Sequence, residues 1–165
     1  MKDKIKHYAK EIAIFIVVMT VFANIISLYK STSLNQEALS ISSITLLNGS
    51  AYKFKSDKPV LIHFWATWCP TCKVEASNIQ TLSQSYEVLT IAVKSGTRGE
   101  IDTWLNESAY NFKVVNDNSG TLSSKFKIAA FPTTFIYNKD RKLVFSEVGY
   151  TSTVGLYLRM WWASF

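Results

Sequence analysis

The chain has 165 residues, 48% of them hydrophobic and 14% aromatic, with a formal net charge of +6. That length holds one domain with a sizeable core and is short for two, and the apolar content excludes disorder over most of the chain. Half of the net charge lies in residues 1–30, where Lys2, Lys4, Lys6, Lys10 and Lys30 stand against Asp3 and Glu11. The remainder is only mildly basic and has no Lys/Arg stripe with interleaved aromatics, which argues against nucleic-acid binding.

Ile12–Tyr29 is an apolar run of 18 residues softened only by Thr20, Asn24 and Ser27. As a helix it would be about 27 Å long at ~1.5 Å per residue, close to the roughly 30 Å of a hydrocarbon core. Four lysines precede it, and only Lys30 follows before Lys53. The positive-inside rule then predicts a cytoplasmic N-terminus and an exported remainder. A cleaved signal peptide is the alternative, with Val21-Phe22-Ala23 as its cleavage pattern, but Ile25, Ile26 and Leu28 carry the apolar run past that point. Both readings deliver the rest of the chain to a disulfide-permissive compartment such as a bacterial periplasm. The expected organisation is a cytoplasmic N-terminus and transmembrane anchor over 1–30, a Ser/Thr/Asn/Gln-rich tether over 31–40, and a folded domain over 41–165.

In the domain, Ile41–Leu47 is rich in β-formers, Asn48-Gly49 is a hairpin turn signal, and Ala51–Phe54 is the return strand. After the polar loop 55–59, Val60–Trp65 reads as a central strand. Helical spacing follows through Val74, Ile79 and Leu82 to about Tyr86. Val88–Val93 has the unbroken β-branched and apolar character of a strand buried on both faces. Glu100–Ser108 is predicted helical, with Ile101, Trp104 and Leu105 on one face. Phe112–Val115 is a short strand, Asn116–Gly120 a turn and Leu122–Phe126 a helical stub. Thr133–Tyr137 and Lys142–Val148 form a hairpin around Asn138-Lys139-Asp140, and Thr153–Trp162 is a last helix with Leu156, Met160 and Trp161 apolar. Alternating strands and helices that end in a hairpin predict an α/β fold with a mixed sheet.

The chain has two cysteines, Cys69 and Cys72, placed where the central strand runs into its helix. A C-x-x-C pair cannot build a disulfide scaffold or a four-ligand zinc site alone, and no metal site or other cofactor is expected. At a helix start, unpaired N–H groups and the dipole favour negative charge. The Cys69 thiolate is therefore stabilised as a nucleophile. Cys72, three residues on, can resolve the mixed disulfide that Cys69 forms with a partner. Pro70 suits the first helical turn, where its missing N–H costs nothing. A static disulfide over so short a loop would remove little unfolded-chain entropy, so a redox role explains the pair better than stability does.

The stretch Phe64-Trp65-Ala66-Thr67-Trp68-Cys69-Pro70-Thr71-Cys72 resembles the active-site signature of the thioredoxin superfamily, in particular its membrane-tethered periplasmic oxidoreductases. The likeness covers roughly residues 41–162. Gly155–Trp162 and the turn Asn116–Gly120 resemble the "suppressor of copper sensitivity" D-type branch. The resemblance implies a thioredoxin fold. It also implies that Pro132, in Phe131-Pro132-Thr133-Thr134-Phe135, is the family's cis-proline, with Phe131 offering backbone hydrogen bonds to a bound peptide. From the residues alone an ordinary trans proline at a strand start fits as well. Glu75 stands where tethered reductases carry a carboxylate that can relay a proton to or from the resolving thiol; a solvated first-turn glutamate is the alternative. His63 stands where cytoplasmic thioredoxins carry a buried acid, a departure; a neutral histidine there could relay protons, but a half-buried strand histidine with a satisfied hydrogen bond is the better expectation. Trp65 and Trp68 are expected to pack around the pair and to form part of the docking surface, together with Pro70, Thr71, Phe131 and Pro132.

The function that follows is a membrane-anchored thiol–disulfide oxidoreductase acting on exported proteins, a reductant rather than an oxidant, with a membrane-embedded thiol reductase as electron donor and a possible tie to copper or redox stress. A reductase of cytochrome c maturation is the second expectation. Such proteins share Trp-Cys-Pro-Thr-Cys and a following Glu but usually read Gly-Ala-Pro-Glu where this chain has Ala130-Phe131-Pro132-Thr133. A third is a copper-binding protein that uses the two thiolates without turnover.

Overall fold

The computed structural model describes residues 2–55 and 57–165; Met1 and Ser56 (the latter within the polar loop 55–59) and the side chains of residues 2–6, 9, 16, 23, 24 and 28–30 lie outside that description. Helix α1 runs over Lys2–Ser31. Its window Lys10–Ser27 has a mean hydropathy of 1.9, is long and apolar enough to cross a membrane, and none of its described side chains is buried. Burial starts at its end: Ser27 is half-buried and Ser31 buried. Ser27 Oγ accepts the Val148 N–H at 3.0 Å.

A small antiparallel hairpin follows, β1 (Ser43–Thr45) with β2 (Ala51–Lys53), paired through Ile44 and Tyr52. Gly49 supplies the positive φ of its turn, +87°. The five-stranded sheet is built from β3 (Val60–Trp65), β4 (Glu87–Val93), β5 (Lys113–Asp117), β6 (Thr133–Tyr137) and β7 (Leu143–Val148), in the order β5-β4-β3-β6-β7. β3, β4 and β5 are parallel; β6 and β7 are antiparallel to their neighbours. Its helices are α2 (Pro70–Ser83), α3 (Arg98–Glu107), α4 (Thr121–Lys125) and α5 (Thr153–Trp162).

β3 is central and buried along its whole length. Its period-2 alternation divides the core. Leu61 and Trp65 pack with Ile79 and Leu82 of α2, Ile101 of α3, and Leu156 and Met160 of α5. Val60, Ile62 and Phe64 face the other way, against Phe126, Phe135 and the hairpin. Each fully buried side chain of this size contributes about 1.5–3 kcal/mol by leaving water, which fixes β3 and therefore the point where it delivers Cys69.

The structure departs from the sequence expectations in four places. Val74 is 65% exposed; the buried face of α2 is Cys72, Glu75, Ala76, Ile79 and Leu82. Trp161 is exposed too, because only Leu156 and Met160 of α5 reach the core. Asn116 and Asp117 end β5 and precede the turn. Asp117 stays buried because its carboxylate accepts the Leu122 and Ser123 N–H groups and holds the start of α4. Finally, residues 31–40 are seated on the domain: Leu34 and Leu39 are buried in the core, and Leu39 N donates to Arg141 O at 2.9 Å.

Candidate active site

The site lies where β3 ends and α2 begins. Ala66–Cys69 turns the chain between them, and the end of β4 clamps that turn. Thr67 N donates to Ser95 Oγ at 3.1 Å, Ser95 Oγ donates to Val93 O, and Trp68 Nε1 donates to Lys94 O at 3.1 Å. Cys69 is itself the N-cap of α2, in extended conformation, with Pro70 at the first helical position. Its Sγ accepts the Cys72 N–H at 3.2 Å. A sulfur in place of the usual capping oxygen thus takes one of the helix's unpaired donors, an arrangement that favours a thiolate.

Cys69 and Cys72 are joined in a disulfide with their Cα atoms 5.3 Å apart. Cys69 is 5% exposed and Cys72 2%. Both cysteines are therefore buried at the rim of the domain. Around them Pro70 and Thr71 are exposed. With Val74 and Tyr150 they line a shallow apolar groove of about 320 Å³.

The Phe131–Pro132 peptide bond is cis. Pro132 is buried and Phe131 half-buried. Trp68, 58% exposed, meets the Phe131 ring edge-on at 5.7 Å between centroids, so the active-site turn and the cis-proline segment form one continuous rim. Trp65 does something different: it is core, with its ring tilted against Trp104 at 4.7 Å between centroids and edge-on to Phe112.

Beneath the pair, Glu75 is 0% exposed. Its Oε1 accepts the Thr151 N–H at 3.2 Å, while Oε2 has no partner. Burial pushes its pKa up to about 8; the Thr151 hydrogen bond pulls the other way, and the Glu147 carboxylate adds to the rise. It stands one helical turn from Cys72 on the same face of α2. The signal was present in the sequence: Glu75 falls on the 72-76-79-82 stripe that turns out to face the core. His63 is buried on β3, its Nδ1 2.9 Å from Thr134 Oγ1 on the adjacent strand. Burial lowers its pKa to about 3, so it is neutral at working pH. Tyr150, which lines the groove, was not anticipated; it carries no sequence mark beyond its place after Gly149. Among the described residues no group of three His, Cys, Asp or Glu side chains is placed to hold a metal.

The AhpC/TSA family matches residues 37–146, a span that includes Cys69, Cys72, Glu75 and Pro132. A "Thioredoxin-like protein" of Haemophilus influenzae is 33% identical over 131 residues, 76% of this chain and 78% of that protein. The "Thiol-disulfide oxidoreductase ResA" of Oceanobacillus iheyensis is 34% identical over 91 residues, 52% of this chain, which spans about half (47%) of that relative. Among solved structures, the pneumococcal exposed lipoprotein thioredoxin of Streptococcus pneumoniae superposes with a TM-score of 0.64 at 22% identity, covering 72% of this chain and 96% of that one.

Proposed function

We infer this protein's work from what it is: the chain belongs to the AhpC/TSA family and has the thioredoxin fold. It is a protein thiol–disulfide oxidoreductase. The observation that carries this reading is the Cys69–Cys72 disulfide at the first turn of α2, with Cys69 Sγ capping the helix.

In the reducing direction the Cys69 thiolate attacks a substrate disulfide, forming a mixed disulfide and releasing one substrate thiolate, which takes up a proton. The Cys72 thiol then gives up its proton and attacks Cys69 Sγ. The second substrate thiol leaves, and the pair ends as the disulfide. Glu75 is the proton relay for Cys72: with a pKa raised to about 8 it is matched to a free thiol's value of roughly 8.5. Trp68, Pro70, Thr71, Phe131 and Pro132 form the edge on which the substrate's extended backbone lies.

The protein works at the bacterial inner membrane as a single-pass protein. α1 is the span, the lysine-rich N-terminus is cytoplasmic, and the domain faces the periplasm, supported by the apolar window and the lysine distribution. Its partners are exported proteins with disulfides, and a membrane-embedded thiol reductase recharges it. A second reading, reduction within cytochrome c maturation, is favoured by the buried Glu75 after Trp-Cys-Pro-Thr-Cys; a deletion strain with normal c-type cytochromes would dispose of it.

The test is a pair of substitutions. Cys69→Ser is expected to abolish insulin reduction. Cys72→Ser should instead accumulate a mixed disulfide with the substrate, visible on a non-reducing gel. Full activity in Cys69→Ser would overturn the assignment.

A further inference from the structure

α5 has two faces, and only one has a partner. Leu156 and Met160 are buried in the core. Val154, Leu158, Trp161, Trp162 and Phe165 are each between 55% and 83% exposed, and Trp161 meets Phe165 edge-on at 5.0 Å. At spacings of four and three, Val154, Leu158 and Trp161 make one stripe along α5, flanked by Trp162; Phe165, past the Ala163 C-cap, extends it through its contact with Trp161. So much aromatic and aliphatic surface on one exposed helix marks a contact site.

The structure also says what lies close by. Ser27, the last residue of the apolar window of α1, is bonded directly to the domain: its Oγ accepts the Val148 N–H and lies 3.4 Å from Glu147 Oε2. The other oxygen of that carboxylate takes the Arg159 side chain of α5, Nε to Oε1 at 2.9 Å. One carboxylate therefore connects the end of the window to the middle of α5, and no slack chain separates the domain from the place where the window ends. From Thr153 to Phe165 there is no acidic residue, and the one arginine, Arg159, is already paired with Glu147, so the exposed stripe carries no charge that would oppose its entry into a lipid surface. Tryptophan is the side chain that partitions best into a headgroup layer, its ring apolar and its N–H able to reach water.

We propose that the outer face of α5 lies in the headgroup layer of the bilayer that α1 crosses, with Leu158, Trp161, Trp162 and Phe165 inserted as an interfacial helix. The domain is thereby held at two points, α1 and α5, which fixes its orientation on the membrane. This rests on α1 being a membrane span.

The test uses the full chain reconstituted into phosphatidylethanolamine/phosphatidylglycerol vesicles whose acyl chains are brominated or not. Flotation in alkaline carbonate reports the anchor separately; a chain that fails to float ends both the anchoring reading and this proposal. For a chain that floats, brominated lipid is expected to quench tryptophan emission. The double substitution Trp161→Phe/Trp162→Phe should remove most of that quenching while leaving insulin reduction unchanged, and Leu158→Glu/Phe165→Glu should weaken it with both tryptophans in place. Equal emission in the two kinds of vesicle, or quenching that survives Trp161→Phe/Trp162→Phe, overturns the proposal. So does a stripe shielded by a second copy, seen as cross-linking that rises with the protein-to-lipid ratio in the absence of quenching.

Discussion

Glu75 shows how burial and chemistry meet in one side chain. A carboxyl with an ordinary pKa of 4.5 is taken to 0% exposure, given one backbone hydrogen bond and left with one oxygen unpartnered. Because its pKa rises to about 8 in the folded protein, the folded state holds a proton that the unfolded state releases near 4.5. Stability from this group is therefore full below about pH 4.5 and lost as pH rises through about 8. Glu75→Gln, which cannot ionise, is expected to flatten the pH dependence of urea unfolding in that window. It should make the protein on the order of 4 kcal/mol more stable than the parent at pH 8. The same substitution should slow resolution of the mixed disulfide and remove an ionisation near pH 8 from the rate profile of insulin reduction. A stability gain without a rate effect would make Glu75 a buried structural group and nothing more.

At the scale of elements, the strands and helices were largely legible because their signals are local: the β-branched run of β4, the Asn-Gly turn of the first hairpin, the cysteine and proline at the start of α2. What could not be read was where each face points. Val74 and Trp161 are apolar yet exposed, whereas Glu75 is charged in isolation yet buried. Tertiary packing decides each of these, because α2 meets the sheet and α5 along the stripe of Cys72, Ala76 and Ile79. The stretch 31–40 is the clearest case. Its polar composition predicts a tether, and Leu34 and Leu39 are too isolated to form a periodic signal. The structure nonetheless buries both against the face of the sheet that carries Phe64. Leu34→Ala is accordingly expected to cost about 2–4 kcal/mol, the range for a buried leucine that leaves a cavity. Urea unfolding of the full chain in detergent measures it. A tether that only spans distance would tolerate the change with no shift of the midpoint.

On the scale of the whole molecule, direction of electron flow follows from where the pair sits and what supplies it. The domain's fold is shared by relatives such as ResA, and neither its sheet nor its helices distinguish a donor from an acceptor of electrons. The distinction lies in the steady state. If a membrane-embedded reductase recharges the pair, Cys69 and Cys72 spend most of their time as thiols, and substrate turnover oxidises them only briefly. Trapping intact cells with acid and then a thiol alkylator should therefore find the pair mostly reduced. A membrane-impermeant maleimide added to spheroplasts should label Cys69, the more exposed of the chain's two cysteines. Both results are needed together. A reduced pair that resists the impermeant reagent in spheroplasts but reacts once detergent opens the membrane would put the domain on the cytoplasmic side. A labelled site recovered mostly as the disulfide would make the protein an oxidant of exported thiols, and would reverse the order in which Cys69 and Cys72 act.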